Sequence, residues 1–248
     1  MAQYQSSIIG NLFQELLDYF QKKAPFLNGR DQHGNLVEFS VNNKMVEALS
    51  FDVSGITIRA AMGDITDYTG DAIVNAANTM LVAAAGGVCG CIFRASDFDT
   101  LNKACEELGA CPTGEACVTP SFGMPATWIV HAVGPVWKGG FSNEATLLEN
   151  TYKNALSQAH LVGARSIAFP AISTGTYGYP LKEATRIAIN AIAEYASSNP
   201  NHFTKIEIVC FDDDTLQMYV AGITERFIKN PEGSVLVEYP NETFTLSA

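Results

Sequence analysis

From Ile56 onward the chain alternates short apolar runs with longer stretches of helical character, and this alternation restricts the fold more than any other feature. Segments 56–62, 72–75, 128–133, 166–170 and 205–211 are strand-length and apolar, whereas 100–108, 147–161, 181–197 and 214–228 have helical spacing or an Ala-rich helical composition. Strands that are apolar throughout are buried on both faces, which requires helices above and below them. The pattern therefore predicts an α/β fold around a central, mostly parallel sheet.

The flanks read differently. Ile8, Leu12, Leu16, Leu17 and Phe20 recur at helical spacing, so 6–23 is expected as an amphipathic helix that stops before Pro25. Residues 36–41 alternate apolar with polar side chains as an edge strand does. Segments 235–239 and 243–246 are expected as a terminal hairpin turned at Pro240 and Asn241. The division is thus an N-terminal extension over 1–50, packed on a main domain over 51–230, with a C-terminal hairpin or tail over 231–248.

Charge narrows the partners. With 15 Lys and Arg against 26 Asp and Glu, the net charge is −11, so no overall basic field gathers nucleic acid, and an anionic ligand needs local help. No apolar run reaches the roughly 20 residues of a membrane helix, and no export signal opens the chain, so a cytoplasmic or otherwise intracellular protein is expected; it is also expected as a monomer. The six cysteines are then expected as free thiols.

Ligands of open α/β sheets collect beyond the carboxyl ends of the strands. Two segments there are rich in small residues. The first, 82–95 (VAAAGGVCGCIFRA), contains Gly86, Gly87 and Val88, and Arg94 is its only charged residue. The second, 170–180 (PAISTGTYGYP), carries Ser173, Thr174, Gly175, Thr176, Tyr177 and Gly178 without a lysine or arginine. Such loops hold phosphate through converging amides and hydroxyls, because glycine lets a ligand approach the backbone closely. Each taken singly is a structural turn; two on successive strand ends favour a ligand. Neither matches the P-loop or the dinucleotide-binding glycine pattern.

Polar residues near other strand ends leave two readings each. Asp64 either accepts a hydrogen bond from a nucleobase amine or caps a helix. Asn75 and Asn78 either bond ribose hydroxyls or form a turn-making pair. Phe211 either stacks on a base or belongs to the core. Taken together they describe a ligand with one base, two sugars and a diphosphate.

The runs GDIT (63–66), DAIVNAAN (71–78), GGV (86–88), TGEA (113–116), HAVGP (131–135) and FPAISTGTYGYP (169–180) resemble the macro domain, most closely its MacroD-type branch. The resemblance covers about residues 55–227 and implies a three-layer α/β/α fold with a mixed, mostly parallel sheet. It also implies ADP-ribose as ligand, with no separate cofactor. By this resemblance Asp64 contacts adenine with Ile65 beside it, and Phe211 packs on the adenine face. Asn78 meets the distal ribose, and Tyr177 leans on the same sugar. Gly86, Gly87 and Val88 wrap the diphosphate from one side, and Ser173, Thr174, Gly175, Thr176 and Gly178 from the other.

The departures bear on catalysis. The hydrolytic branch reads G-G-G-V-D-G-A-I-H-R-A in the first loop, where this chain has Cys89 for the aspartate, Phe93 for the histidine and, further on, Asp97 for a glycine. The resemblance implies that this aspartate orients or activates the attacking water, and losing one positioned base costs about 10²- to 10⁴-fold. Asn78 and Cys89 remain the candidate catalytic residues. A nucleophilic Cys89 lacks a histidine nearby in sequence, and Cys89 and Cys91 lack the spacing of a zinc site, so no metal is expected. His131 reads as a satisfied core residue. The expected function is recognition of ADP-ribosylated proteins or free ADP-ribose derivatives. The alternative is a mono-ADP-ribosyl-protein hydrolase or O-acetyl-ADP-ribose deacetylase. A binder of poly(ADP-ribose) or single-stranded RNA is disfavoured by the charge.

Overall fold

The structure is a computed structural model that describes residues 48–229, 234–239 and 242–247. Its strands are β1 (Ala48–Val53), β2 (Ile56–Met62), β3 (Ala72–Ala76), β4 (Ala116–Pro120), β5 (Trp128–Ala132), β6 (Ser166–Phe169), β7 (Lys205–Cys210), β8 (Ser234–Tyr239) and β9 (Glu242–Ser247). The helices among these residues are α1 (Gly87–Ala95), α2 (Phe98–Leu108), α3 (Glu144–Leu161), α4 (Leu181–Ser198) and α5 (Asp213–Lys229). The strands form one sheet in the order β4-β5-β3-β6-β7-β2-β1-β8-β9. Five neighbours, β5, β3, β6, β7 and β2, run parallel; β4 and the β1-β8-β9 side are antiparallel.

Alternation along the central strands feeds two cores. Val74, Val130, Ile167 and Phe169 face the larger one, beneath α3, α4 and α5, together with Ile58 and Ile208. Ile73, Ile129 and Ala168 point the other way, into a smaller core with Ile92, Phe93 and Leu101 of α1 and α2. This is the three-layer α/β/α arrangement with a mixed, mostly parallel sheet. Among the described residues no helix is long and apolar enough to cross a membrane.

Three elements depart from the sequence expectation. Strand β1 crosses the boundary drawn at residue 50, because Ser54 and Gly55 (φ +51° and +78°) make a two-residue hairpin turn onto β2. Strand β4 was not expected at all; it is an edge strand, which tolerates Pro120 at its end. The segment 82–95, expected as a loop, turns helical at Gly87, since Cys89, Ile92 and Phe93 supply a buried stripe. The C-terminal hairpin pairs through β8 with β1 and so continues the main sheet. The expected helix over 6–23, the strand over 36–41 and the turn at Pro240 and Asn241 lie outside the described residues.

One polar network is sealed within the smaller core. His131 of β5 is fully buried, Asn75 Nδ2 donates to its Nδ1 at 3.1 Å, and Thr119 Oγ1 lies 2.9 Å from its Nε2. An amide nitrogen only donates, so Nδ1 accepts and Nε2 carries the ring proton toward Thr119. Burial lowers the His131 pKa to about 4. The unfolded chain, with a histidine near 6.5, binds a proton that the folded chain refuses between those two values. The resulting stability is fully present above the unfolded pKa and is lost as pH falls toward the folded one. In denaturant melts, the wild type should lose about 2 kcal/mol more than a His131→Gln variant between pH 7 and pH 4.5. Equal losses in the two proteins would show that the imidazole carries no such linkage.

Candidate functional site

Because β5, β3, β6, β7 and β2 run the same way, their carboxyl ends form one continuous rim. The segments singled out from the sequence leave that rim side by side. Asp64 and Ile65 follow β2, Phe211 follows β7, the 170–180 loop follows β6, and Asn78 with the approach to α1 follows β3. The two small-residue segments therefore emerge from hydrogen-bonded neighbouring strands, β3 and β6.

At one end, Gly63 N donates to Cys210 O at 3.0 Å and extends the β2-β7 pairing to the point where both chains leave the sheet. Asp64 caps the single 3-10 turn over Ile65–Asp67: its Oδ1 accepts from Thr66 N at 2.9 Å and Thr66 Oγ1 at 2.7 Å. The backbone bond from Thr66, then its hydroxyl, hold the carboxyl below the ordinary carboxylate range. The capping reading of Asp64 is thus what the folded chain displays, and both bonds fall on one oxygen. Ile65 is buried, whereas Phe211 stands 83% exposed, which removes it from the core reading.

In the middle, the 170–180 loop stays irregular. Ile172 N donates to the buried Tyr152 hydroxyl at 3.2 Å, Gly178 N to Gly175 O at 2.8 Å and Tyr179 N to Ser173 O at 3.0 Å. Ser173 takes φ +69°, an unusual conformation for a residue with a side chain, and its buried hydroxyl has no partner. Gly134, after β5, explains how the loop sits so low: a Cβ there would lie 2.2 Å from Ser173 Oγ. Gly86 and Gly175 are different. Neither takes a positive φ and neither has a protein atom within 4 Å of a would-be Cβ, so the fold itself does not demand glycine at either position.

At the β3 end, Asn78 is spent largely on its own loop. Its Nδ2 donates to Val82 O at 2.7 Å, and its Oδ1 accepts from Met80 N and Val82 N, both at 3.2 Å. This is the turn-making use of asparagine, and it shapes the approach to Gly86. There α1 begins without a side-chain cap, so the amides of its first turn, at Gly87, Val88 and Cys89, are left for another acceptor. Thr174 and Tyr177 are half-buried, and Thr176 and Gly178 are exposed.

Of the residues that depart from the hydrolytic pattern, Cys89 and Phe93 lie in the smaller core and Asp97 is exposed at the start of α2. Cys89 is buried in the smaller core, its Sγ is 3.8 Å from Val82 O, and burial pushes its pKa up. A thiol held neutral in this way is neither a base nor an activated nucleophile. Phe93 is core and meets Phe98 edge-on at 5.9 Å, and Asp97 caps α2 by accepting from Thr100 N at 2.9 Å. All six cysteines are free, and among the described residues no group of three or more His, Cys, Asp or Glu is disposed to hold a metal.

Sequence reasoning assigned no role to Trp137 or Glu144. Trp137 N donates to Tyr177 O at 2.9 Å, and Glu144 is buried at the start of α3. The only signal for the latter was an acid in the first turn of a helix, which is too common to single out.

The sequence profile described as Macro domain matches residues 74–188. Macro domain-containing protein CT2219 of Chlorobaculum tepidum is 48% identical over 164 residues, 66% of this chain and 94% of that protein. A Citrobacter koseri protein named O-acetyl-ADP-ribose deacetylase is 43% identical over 173 residues, 68% of this chain and 96% of its own length. Among solved structures, the Oceanobacillus iheyensis macrodomain with ADP superposes with a TM-score of 0.69 at 35% identity, covering 73% of this chain and 97% of that one. With this identity over nearly the full length of its relatives, and with their sheet, the chain belongs to the macro domain family.

Proposed function

We propose that the chain binds ADP-ribose, free or attached to a protein, along the rim at the carboxyl ends of its parallel strands, with turnover weakened or lost. The observation that carries this reading is the order of groups on that rim. From β2 to β3 the strands span about 14 Å, three sheet spacings, long enough for a base, a sugar and a diphosphate in sequence. Asp64, through the carboxylate oxygen its cap does not use, and Phe211, with its exposed ring, receive adenine beside Ile65. Ser173, Thr174, Gly175, Thr176 and Gly178 face the diphosphate from one side, and the amides of Gly86, Gly87 and Val88 from the other. Asn78, which still has one amide hydrogen to donate, and Tyr177 meet the distal ribose.

Support also comes from the relatives: a protein named for O-acetyl-ADP-ribose, and a solved macrodomain holding ADP. The uncapped helix start and the two glycines that the fold does not demand are what an anion would use. In this reading the protein works inside the cell as a monomer, and its partner is an ADP-ribosylated protein. Calorimetry with ADP-ribose should show one saturable site, weakened about tenfold or more by Asp64→Ala, as expected for a lost charge-assisted hydrogen bond. Absence of heat at millimolar ligand would end the proposal.

A second reading, hydrolysis of an ADP-ribosyl ester or of O-acetyl-ADP-ribose, is favoured by the deacetylase name of the Citrobacter relative. Against it stands Cys89, a neutral buried thiol where the hydrolytic pattern has a carboxylate. Wild-type release of acetate from O-acetyl-ADP-ribose should not exceed that of Asn78→Ala. Cys89→Asp should raise it, up to the 10²- to 10⁴-fold worth of a positioned base. A wild-type rate well above that of Asn78→Ala makes the chain an enzyme. An unchanged rate in Cys89→Asp refutes the role given to this position.

A further inference from the structure

The loop between β5 and α3 sits beside the proposed ligand loop without being part of it, and one buried carboxylate organises it. Glu144 is 1% exposed. Its Oε1 accepts from Lys138 N at 3.0 Å and Gly140 N at 3.2 Å, and its Oε2 accepts from Ser142 N at 2.6 Å. Burial raises the carboxyl's pKa, but Glu144's own N–H and these three loop donors outweigh it and leave Glu144 below its ordinary value, so it stays ionised. Gly139, Gly140 and Asn143 all take positive φ (+97°, +87° and +62°), which glycine and asparagine reach without much strain, so the path is one of several open to the segment and the carboxylate's contacts select it.

Two contacts carry the hub's order to the 170–180 loop. Trp137, which directly precedes Lys138, donates its N–H to Tyr177 O, and its ring lies against Tyr179 with centroids 4.6 Å apart. Gly140 closes on the same indole, where a Cβ would stand 3.0 Å from Cη2. The receiving loop itself carries strain at Ser173 and a buried hydroxyl without a partner, so its shape depends on outside restraint.

We propose that Glu144 is a positioning residue: by gathering three loop amides it fixes Trp137, and through Trp137 it holds the Ser173–Gly178 backbone in its ligand-receiving shape. This deepens the ADP-ribose reading and rests on it for the effect on affinity; the coupling between the two loops does not need it. Removing the charge at Glu144 therefore loosens the 170–180 loop as well as its own.

The test compares wild type, Glu144→Gln, Ser142→Pro and Glu149→Gln by amide hydrogen exchange without ligand and by ADP-ribose calorimetry. Glu149 lies on the same helix but pairs with Lys153 at its surface, so it controls for loss of a charge. Glu144→Gln should raise exchange in 171–180 about tenfold, together with 137–143, while 205–210 keeps its protection. Affinity should fall by a similar factor, and Glu149→Gln should change neither quantity. Opening of 137–143 with 171–180 unchanged would overturn the proposal. Should Glu144→Gln unfold throughout, Ser142→Pro decides, because it deletes one donor and leaves the carboxylate. A roughly threefold rise in 171–180 exchange supports the coupling, and no rise refutes it. If the wild type binds no ADP-ribose, the functional reading falls while the exchange data still decide the coupling.

Discussion

Side-by-side parallel alignment of β5, β3, β6, β7 and β2 is the constraint on which the rest of the molecule depends. Parallel strands need crossovers, the crossovers are helices, and the helices cover both faces, so the only irregular backbone near the sheet centre collects at its two ends. At the carboxyl end this gathers GDIT, NAAN, the 170–180 loop and Phe211 within a few sheet spacings, although they are spread over some 150 residues of chain. An acidic protein whose two small-residue segments carry a single cation, Arg94, has little else to offer a diphosphate. Oriented amides are fixed dipoles that need no counter-charge, and they tolerate a net charge of −11 because their field is local.

The same rim shows how a loop can be held without a regular element. Asn78 holds the 78–82 turn from within, Tyr152 holds the start of the 170–180 loop from below, and Glu144 holds the β5–α3 loop from beneath. Each anchor is a side-chain group bonding backbone N–H, the commonest way for a buried loop to meet its hydrogen-bonding needs. The anchors differ in charge: the ionised one, Glu144, gathers three amides from the loop with three positive-φ residues.

Legibility in the sequence followed the strength of local patterning. Interior strands such as 205–210 and helices such as Leu181–Ser198 stood out because burial on both faces, or a long apolar stripe, leaves an unmistakable run. Strand β1 was lost because Ser54-Gly55 is a weaker turn signal than Asn-Gly, and β4 because an edge strand buried on one side alternates only faintly. Helix α1 was hidden by its glycines, although the Cys89, Ile92, Phe93 spacing was there to be counted. For the site, the positions along the rim were legible from motif order. The commitments of the side chains were not: that Asp64 and Asn78 are engaged with their own turns follows from loop geometry that no spacing encodes.

Catalysis raises a different question, since binding and turnover draw on different atoms. In the proposed reading binding draws on backbone donors at the rim, and substituting the Cys89 side chain leaves those donors in place. Turnover by the hydrolytic route needs a proton acceptor above α1, and the side chain at that position points instead into the smaller core with Ile92, Phe93 and Cys105. A carboxylate there would have to be hydrogen-bonded to remain ionised, and the Ala84 N–H and the Asn75 amide already reach the sulfur. The Cys89 thiol is packed in the smaller core beside groups that an acid could also use, so what the position lacks is the charge and not its partners. Those two donors could hold a carboxylate at position 89 ionised, so hydrolysis in this chain is limited first by the identity of that one side chain.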